Sequence, residues 1–128
     1  MSTTFGPVIH VTSRADLITS GDLVDVSPTA REAGFRHPVA LTRAAWQDAV
    51  AWSEENDAPQ DVSGRLWDVL AMAHHAARSS RGPRAVFTVC RVPNAPSAID
   101  PEMTTLHLHV GPGDTAAPVL TILTPHED

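Results

Sequence analysis

From Thr104 to Val110 the sequence alternates without a break, with Leu106, Leu108 and Val110 on one side of an extended chain and Thr105, His107 and His109 on the other. Successive side chains of a strand point to opposite faces, so this run demands a sheet with one face in a core and one toward water. Gly111-Pro112-Gly113-Asp114 then turns the chain, and Val119 to Leu123 returns as the hairpin partner.

Helical spacing supplies a layer to cover such a sheet. Asp61 opens the most periodic segment, in which Val62, Leu66, Val69, Leu70, Ala73 and Ala77 line one side. Thr42 is placed to cap a second helix, where Trp46, Ala49, Val50 and Ser53 recur at helical spacing until it frays by Asn56. Ser13 with Asp16 starts a short helix that stops at Gly21, and Ser27, followed by Pro28, caps another that stops at Gly34. Leu23 to Val26 and Pro38 to Leu41 read as extended, and Ala85 to Cys90, rich in β-formers, as a strand. Pro93 to Pro101 holds three prolines and an asparagine and reads as exposed loop. These local connections predict an α+β fold: an antiparallel sheet ending in a C-terminal hairpin, with two main helices packed on one face. Residues 1–128 read as a single globular domain, long enough to bury a core without staples.

All nine basic residues are arginine, and the chain has neither lysine nor tyrosine. Schiff-base chemistry and the phosphate-binding P-loop both need a lysine, so both are excluded. A net charge of −6 disfavours nucleic acid as a partner, because displacing counterions from phosphates needs a basic face. Apolar runs are interrupted every few residues and fall far short of the roughly 20 residues of a membrane span. Met1 to His10 shows no basic cluster followed by an apolar core, so no secretory signal is expected and a cytoplasmic setting is the simplest reading. Cys90 is the single cysteine, which rules out an internal disulfide; in mid-strand it reads as a small apolar side chain rather than a nucleophile. No Gly-x-Ser-x-Gly elbow, His-Glu-x-x-His, dinucleotide glycine pattern or calcium loop occurs.

Three segments carry a resemblance. The stretch Gly21-Asp22-Leu23-Val24-Asp25-Val26-Ser27-Pro28-Thr29-Ala30-Arg31-Glu32-Ala33-Gly34-Phe35-Arg36-His37-Pro38-Val39-Ala40-Leu41-Thr42 is similar to an uncharacterised family of small proteins encoded on bacterial plasmids, phages and chromosomes. Gly64-Arg65-Leu66-Trp67-Asp68-Val69-Leu70, and Gly111-Pro112-Gly113-Asp114 through Pro118-Val119-Leu120-Thr121-Ile122, fit the same pattern, so the likeness covers nearly the whole chain. The resemblance implies a mobile-element or accessory setting; it brings no catalytic residue with it.

Side chains with chemistry gather at a few places. His107 and His109, two apart on a strand, share one face and lie within reach of one metal ion, for which zinc is the natural candidate. A zinc site needs a third ligand, and no sequence argument brings His10, Asp25, His37 or His126 to that face. Polar residues on the wet side of a strand are the commoner arrangement. Trp67, His74 and Arg78, spaced by seven and four residues, stack along one flank of the central helix and are candidates for a pocket wall, while His75 points elsewhere. Such a flank more often packs beneath a loop. Arg31, Arg36 and His37, with Phe35 and Arg43, crowd a helix-to-strand corner, where planar guanidinium groups suit carboxylate or phosphate partners. The simpler alternative has Arg31 and Arg36 paired with acidic neighbours and Phe35 pinning the corner in the core. Arg78, Arg81 and Arg84 border the Ser79 to Pro83 turn and read as its solvated rim.

The leading expectation is a non-catalytic accessory protein of a bacterial mobile element that acts by macromolecular binding, with another protein or a second copy as partner and an exposed patch near Trp46, Trp52 or Trp67. It names no catalytic residue and no cofactor. The alternative is a small metal-binding domain or metal-assisted hydrolase centred on His107 and His109, with zinc as cofactor.

Overall fold

Side-chain oxygens begin most of the helices, as their spacing demands. In the computed structural model, which describes residues 12–128, the chain runs α1 (Arg14–Ser20), β1 (Leu23–Asp25), α2 (Ser27–Glu32), β2 (Val39–Thr42), α3 (Arg43–Ala49), α4 (Val62–Ser79), β3 (Arg84–Arg91), β4 (Glu102–Pro112) and β5 (Pro118–Leu123), closing on a short 3-10 helix, Pro125–Glu127. Ser13 forms a reciprocal capping box with Asp16 at α1, Thr42 accepts from the Ala45 amide at α3, and Asp61 accepts from the Gly64 amide at α4. Ser27 does not cap α2. Its hydroxyl accepts from the Val39 amide at 3.1 Å and donates to Asp25, tying α2 to β2, and Val26 takes the cap position. His10 lies outside the described residues.

The fold is α+β, and the sheet has the order β1-β2-β5-β4-β3. It is mixed, where local connections predicted an antiparallel sheet: β2 and β5 run parallel, with Val39, Ala40 and Leu41 opposite Leu120, Thr121 and Ile122. The remaining pairs are antiparallel, including the expected hairpin of β4 and β5. A hairpin is fixed by its own turn, whereas the parallel pair is set by how the intervening helices and strands pack.

One face of the sheet presents Val39, Leu41, Phe87, Val89, Leu106, Leu108, Leu120 and Ile122 to Ala30, Ala45, Ala49, Val50, Leu66, Val69, Leu70 and Ala73 of the helical layer, all in one buried cluster. Each large side chain among them contributes about 1.5–3 kcal/mol relative to exposure. The alternation of β4 is thus realised at Leu106 and Leu108. Val110 lies past the helical cover and is 38% exposed. On the second face, Arg14 of α1 donates to Thr121 Oγ1 at 2.8 Å and to the Leu120 carbonyl at 2.7 Å. Among the described residues no helix covers that face over β3, where Val86 is 64% exposed.

Two helices differ from the sequence expectation. α3 ends at Ala49, not near Asn56, because the Ser53 amide that would continue it donates instead to Asn94 Oδ1 at 3.0 Å. Asn94 also accepts from Asn56 Nδ2, and the Asp57 amide donates to the Pro96 carbonyl, so the loops before α4 and after β3 clasp each other. On α4, Val62 sits at the rim, 37% exposed, and Arg65 rather than an apolar residue fills the first buried position.

Candidate functional site

α2 ends in a reversal that only glycine makes without strain. Gly34 has φ +111°, the Phe35 amide reaches back to the Ala30 carbonyl and the Gly34 amide to that of Arg31. This reversal drives Phe35 into the core, 6% exposed, and throws Arg36 and His37 outward. Phe35 and His74 meet edge to face, with ring centroids 5.1 Å apart. His74 packs so closely that a Cβ at Gly34 would stand 2.9 Å from its ring atoms. Two groups that lie far apart in sequence therefore face one open cleft of about 520 Å³: Gly34, Phe35, Arg36 and His37 from the corner, and His74 and Arg78 from α4, with Ala77 and Leu120 beneath.

Among the described residues the cleft is lined by two guanidinium and two imidazole groups and by no carboxylate. Among the described residues no salt bridge engages Arg31, Arg36 or Arg78, so the internal pairing expected for Arg31 and Arg36 is not formed. Arg31 stays on α2, outside the lining. Trp67 also lies elsewhere, beside Asp68, Met72, Arg91 and Met103 along a separate groove. A larger cleft of about 590 Å³ lies between α1 and the β4–β5 turn, but its Asp114 carboxylate is already spent on the Arg14 and Ala15 amides and its Arg14 guanidinium on β5.

Sequence reasoning missed a second pair of arginines entirely. Arg65 and Arg91 are 1% and 6% exposed. Arg65 Nε donates to the Val50 carbonyl at 3.0 Å and Nη1 to that of Val92 at 2.9 Å, and the guanidinium lies 4.8 Å over the Trp52 ring. Among the described residues its Nη2 has no hydrogen-bond partner. Arg91 Nη1 reaches the Ala49 and Arg65 carbonyls at 3.3 and 3.2 Å, and Nη2 meets Asp68 at 2.8 Å. Together they receive the carbonyls at the end of α3, where a helix presents its negative pole. Burial, and then the charge of Arg91, push the Arg65 pKa down to about 10, with Asp68 pulling it back up. The spacing held a clue: Arg65 lies four residues before Val69, on the apolar side of α4.

His107 and His109 do share a face, as their spacing requires, and both turn to Asp128. His107 Nδ1 lies 2.6 Å from Asp128 Oδ2, and His109 Nε2 lies 2.9 Å from Oδ1. The second contact is short but poorly directed, leaving His109 Nε2 without a well-formed hydrogen bond among the described residues. Arg84 adds a contact to the same carboxylate at 3.0 Å. The hydrogen bond from His107, then the His109 contact, hold the Asp128 pKa below the ordinary carboxylate value against the opposing effect of burial. Among the described residues no group of three or more His, Cys, Asp or Glu is arranged to hold a metal ion. His37 and His74 belong to the corner cleft, and His75 lines a groove on the far side of α4.

Cys90 sits on β3 as expected, but on the exposed face, with its sulfur 3.1 Å from that of Met103. Among the described residues no helix is long and apolar enough to cross a membrane. No curated protein and no solved structure matches the chain. The Family of unknown function (DUF6573) matches residues 3–128, in keeping with the resemblance carried by the three sequence segments, and the chain belongs to that family.

Proposed function

We propose that the chain is a non-catalytic binding protein that receives an acidic segment of a partner protein in the cleft at the Gly34 corner. The observation that carries this reading is the gathering of Arg36, His37, His74 and Arg78 around one cleft without a carboxylate, in a chain of net charge −6. An acidic chain has carboxylates to spare for neutralising its arginines, and here it brings none to the site. Planar guanidinium groups engage carboxylates in bidentate fashion, and Phe35, Ala77 and Leu120 offer apolar surface for the stem of an acidic side chain. The volume lies within the range of about 300–1,000 Å³ common to ligand clefts. An accessory role in a bacterial mobile element, on plasmid or phage, belongs to this reading and rests on the resemblance; a cytoplasmic setting is part of the same reading.

Fluorescence anisotropy with a labelled oligo-glutamate peptide tests it. Binding should weaken steeply with salt, and Arg36→Ala and Arg78→Ala should each weaken it about tenfold, the equivalent of one charge-assisted hydrogen bond of about 1.5 kcal/mol. Equal binding by wild type and the double variant sinks the proposal.

One contact favours a second reading. The Asp128 carboxylate meets both imidazoles, at 2.6 and 2.9 Å, so an oxygen donor already stands beside His107 and His109. Under this reading Asp128 would turn to share a divalent ion, zinc among them, with the two rings, and metal-assisted hydrolysis would be the associated chemistry. Elemental analysis of the purified chain decides it: near-stoichiometric metal that disappears in His107→Ala/His109→Ala supports the site. A metal-free protein whose melting temperature ignores added zinc retires it.

A further inference from the structure

Among the described residues strand β3 ends the sheet, and its outer edge is bare at the centre. The Val110 amide donates to the Pro83 carbonyl at 2.7 Å, so the main-chain groups of odd-numbered positions turn toward β4. Those of Arg84, Val86, Thr88 and Cys90 therefore turn outward. Two carbonyls confirm it: that of Arg84 accepts from Ser80 Oγ at 2.9 Å and that of Cys90 from Arg91 Nε at 2.7 Å. Between these two ends, the N–H and C=O of Val86 and Thr88 have no hydrogen-bond partner among the described residues.

Sheet proteins guard such an edge with charge, proline or a bulge, because an open ladder pairs with any strand that meets it. β3 has none of these between its terminal arginines. Its register against β4 runs unbroken from Arg84↔His109 to Arg91↔Glu102, and Val86 is 64% exposed. On the helical side the edge is flanked by two grooves of about 510 and 440 Å³, which meet at Met72 and Thr88. Met72 and Trp67, 41% and 44% exposed, stand along them.

We infer that this edge is the contact between two copies of the chain, joined antiparallel through β3 about a two-fold axis at Phe87. The free positions, Val86 and Thr88, lie symmetrically about Phe87. In that register Val86 pairs with Thr88 of the second copy and Thr88 with its Val86, so that the free donors and acceptors of these two positions are used in both chains. The pairing also sets Arg84 opposite Cys90 of the second copy, keeping like charges apart, and puts two β-branched side chains against each other on the outer face. The two grooves extend to either side of the same axis and would receive the apolar flank of the other α4. The assignment is independent of the corner cleft, which lies on other elements.

Sedimentation of the purified full chain, with and without edge variants, tests the inference. The wild type should sediment as a dimer. Val86→Pro removes an outward N–H without costing the β3–β4 ladder a bond, and should halve the mass while leaving the circular dichroism spectrum unchanged. Thr88→Lys, a change at an exposed side chain, should do the same by placing charge in the pairing. Arg84→Cys should give a disulfide-linked dimer under mild oxidation, through Cys90 of the second copy, and no such product once Cys90→Ser is added. A monomeric wild type overturns the inference, including the case in which the edge serves a foreign strand. So does a dimer that both edge variants leave intact.

Discussion

Arg65 and Arg91 lie inside the molecule with several of their donors spent on the carbonyls of Ala49, Val50, Arg65 and Val92 and with one carboxylate, Asp68, paired to Arg91. Arg36 and Arg78 line an open cleft with no acidic neighbour in it. The same side chain thus does two jobs. Where the backbone of α3 stops early and leaves carbonyls unpaired, a buried guanidinium supplies several donors in fixed directions and closes the loop onto the core. Where no carbonyl or carboxylate waits, the charge remains available to an outside anion. The fate of the donors, more than the position in sequence, separates a structural arginine from one left free for an outside partner.

The sharpest test of that contrast is Arg91→Met. It strips the donor from the buried Ala49 carbonyl, worth about 1–3 kcal/mol when left unpaired, and removes a second bond from the Arg65 carbonyl, which the α4 ladder still satisfies; relief of the like charge at Arg65 offsets part of the loss. The chain should lose about 2–4 kcal/mol in urea denaturation. A neutral outcome would remove the distinction between the two pairs. Gly34→Ala comes next. It forces a side chain into φ +111° and against the His74 ring, at a cost of about 1–3 kcal/mol. In a His74→Ala background the contact part vanishes and only the backbone part remains, so the cost should shrink measurably. An unchanged cost would mean the backbone alone requires glycine, and the closeness of His74 is incidental.

Much of this was open to sequence reasoning where the determinants are local. Ser13, Thr42 and Asp61 begin helices, Gly21 and Gly34 end them, and the β4–β5 hairpin follows its turn, because each depends on residues a few positions apart. The parallel β2–β5 pair depends on contacts across most of the chain and left no local trace. The corner cleft was legible as two fragments, Arg36 with His37 and His74 with Arg78, but their meeting depends on how α4 crosses the α2–β2 corner. Trp67 shared a flank with His74 by angle, yet seven residues amount to about 10 Å of helix, enough to place it at a different groove. Burial of Arg65 and Arg91 was hidden because their partners are main-chain carbonyls, which every residue carries and no sequence pattern marks.

Exposed arginines should behave in the opposite way from buried ones. Arg36→Ala/Arg78→Ala removes no internal hydrogen bond or ion pair among the described residues, so the urea midpoint should stay within about 0.5 kcal/mol of wild type while the acidic probe is lost. A large loss of stability would show that the cleft arginines are structural after all.

The Asp128 cluster stands between these extremes, since its charges are satisfied internally yet sit at the surface, and its effect should be the smallest and the most dependent on pH. Asp128 has its pKa held below the usual value by His107 and His109. A carboxyl depressed in the folded state binds fewer protons there than in the unfolded chain, so it stabilises the fold above the unfolded value of about 3.9. That contribution is lost as pH falls through the lower, folded value. Thermal melts of wild type and Asp128→Asn should therefore differ near neutrality and converge as the pH drops below about 4. Curves that stay parallel through the acid range would mean that the carboxylate holds His107 and His109 by shape alone, and that its charge contributes nothing to the fold.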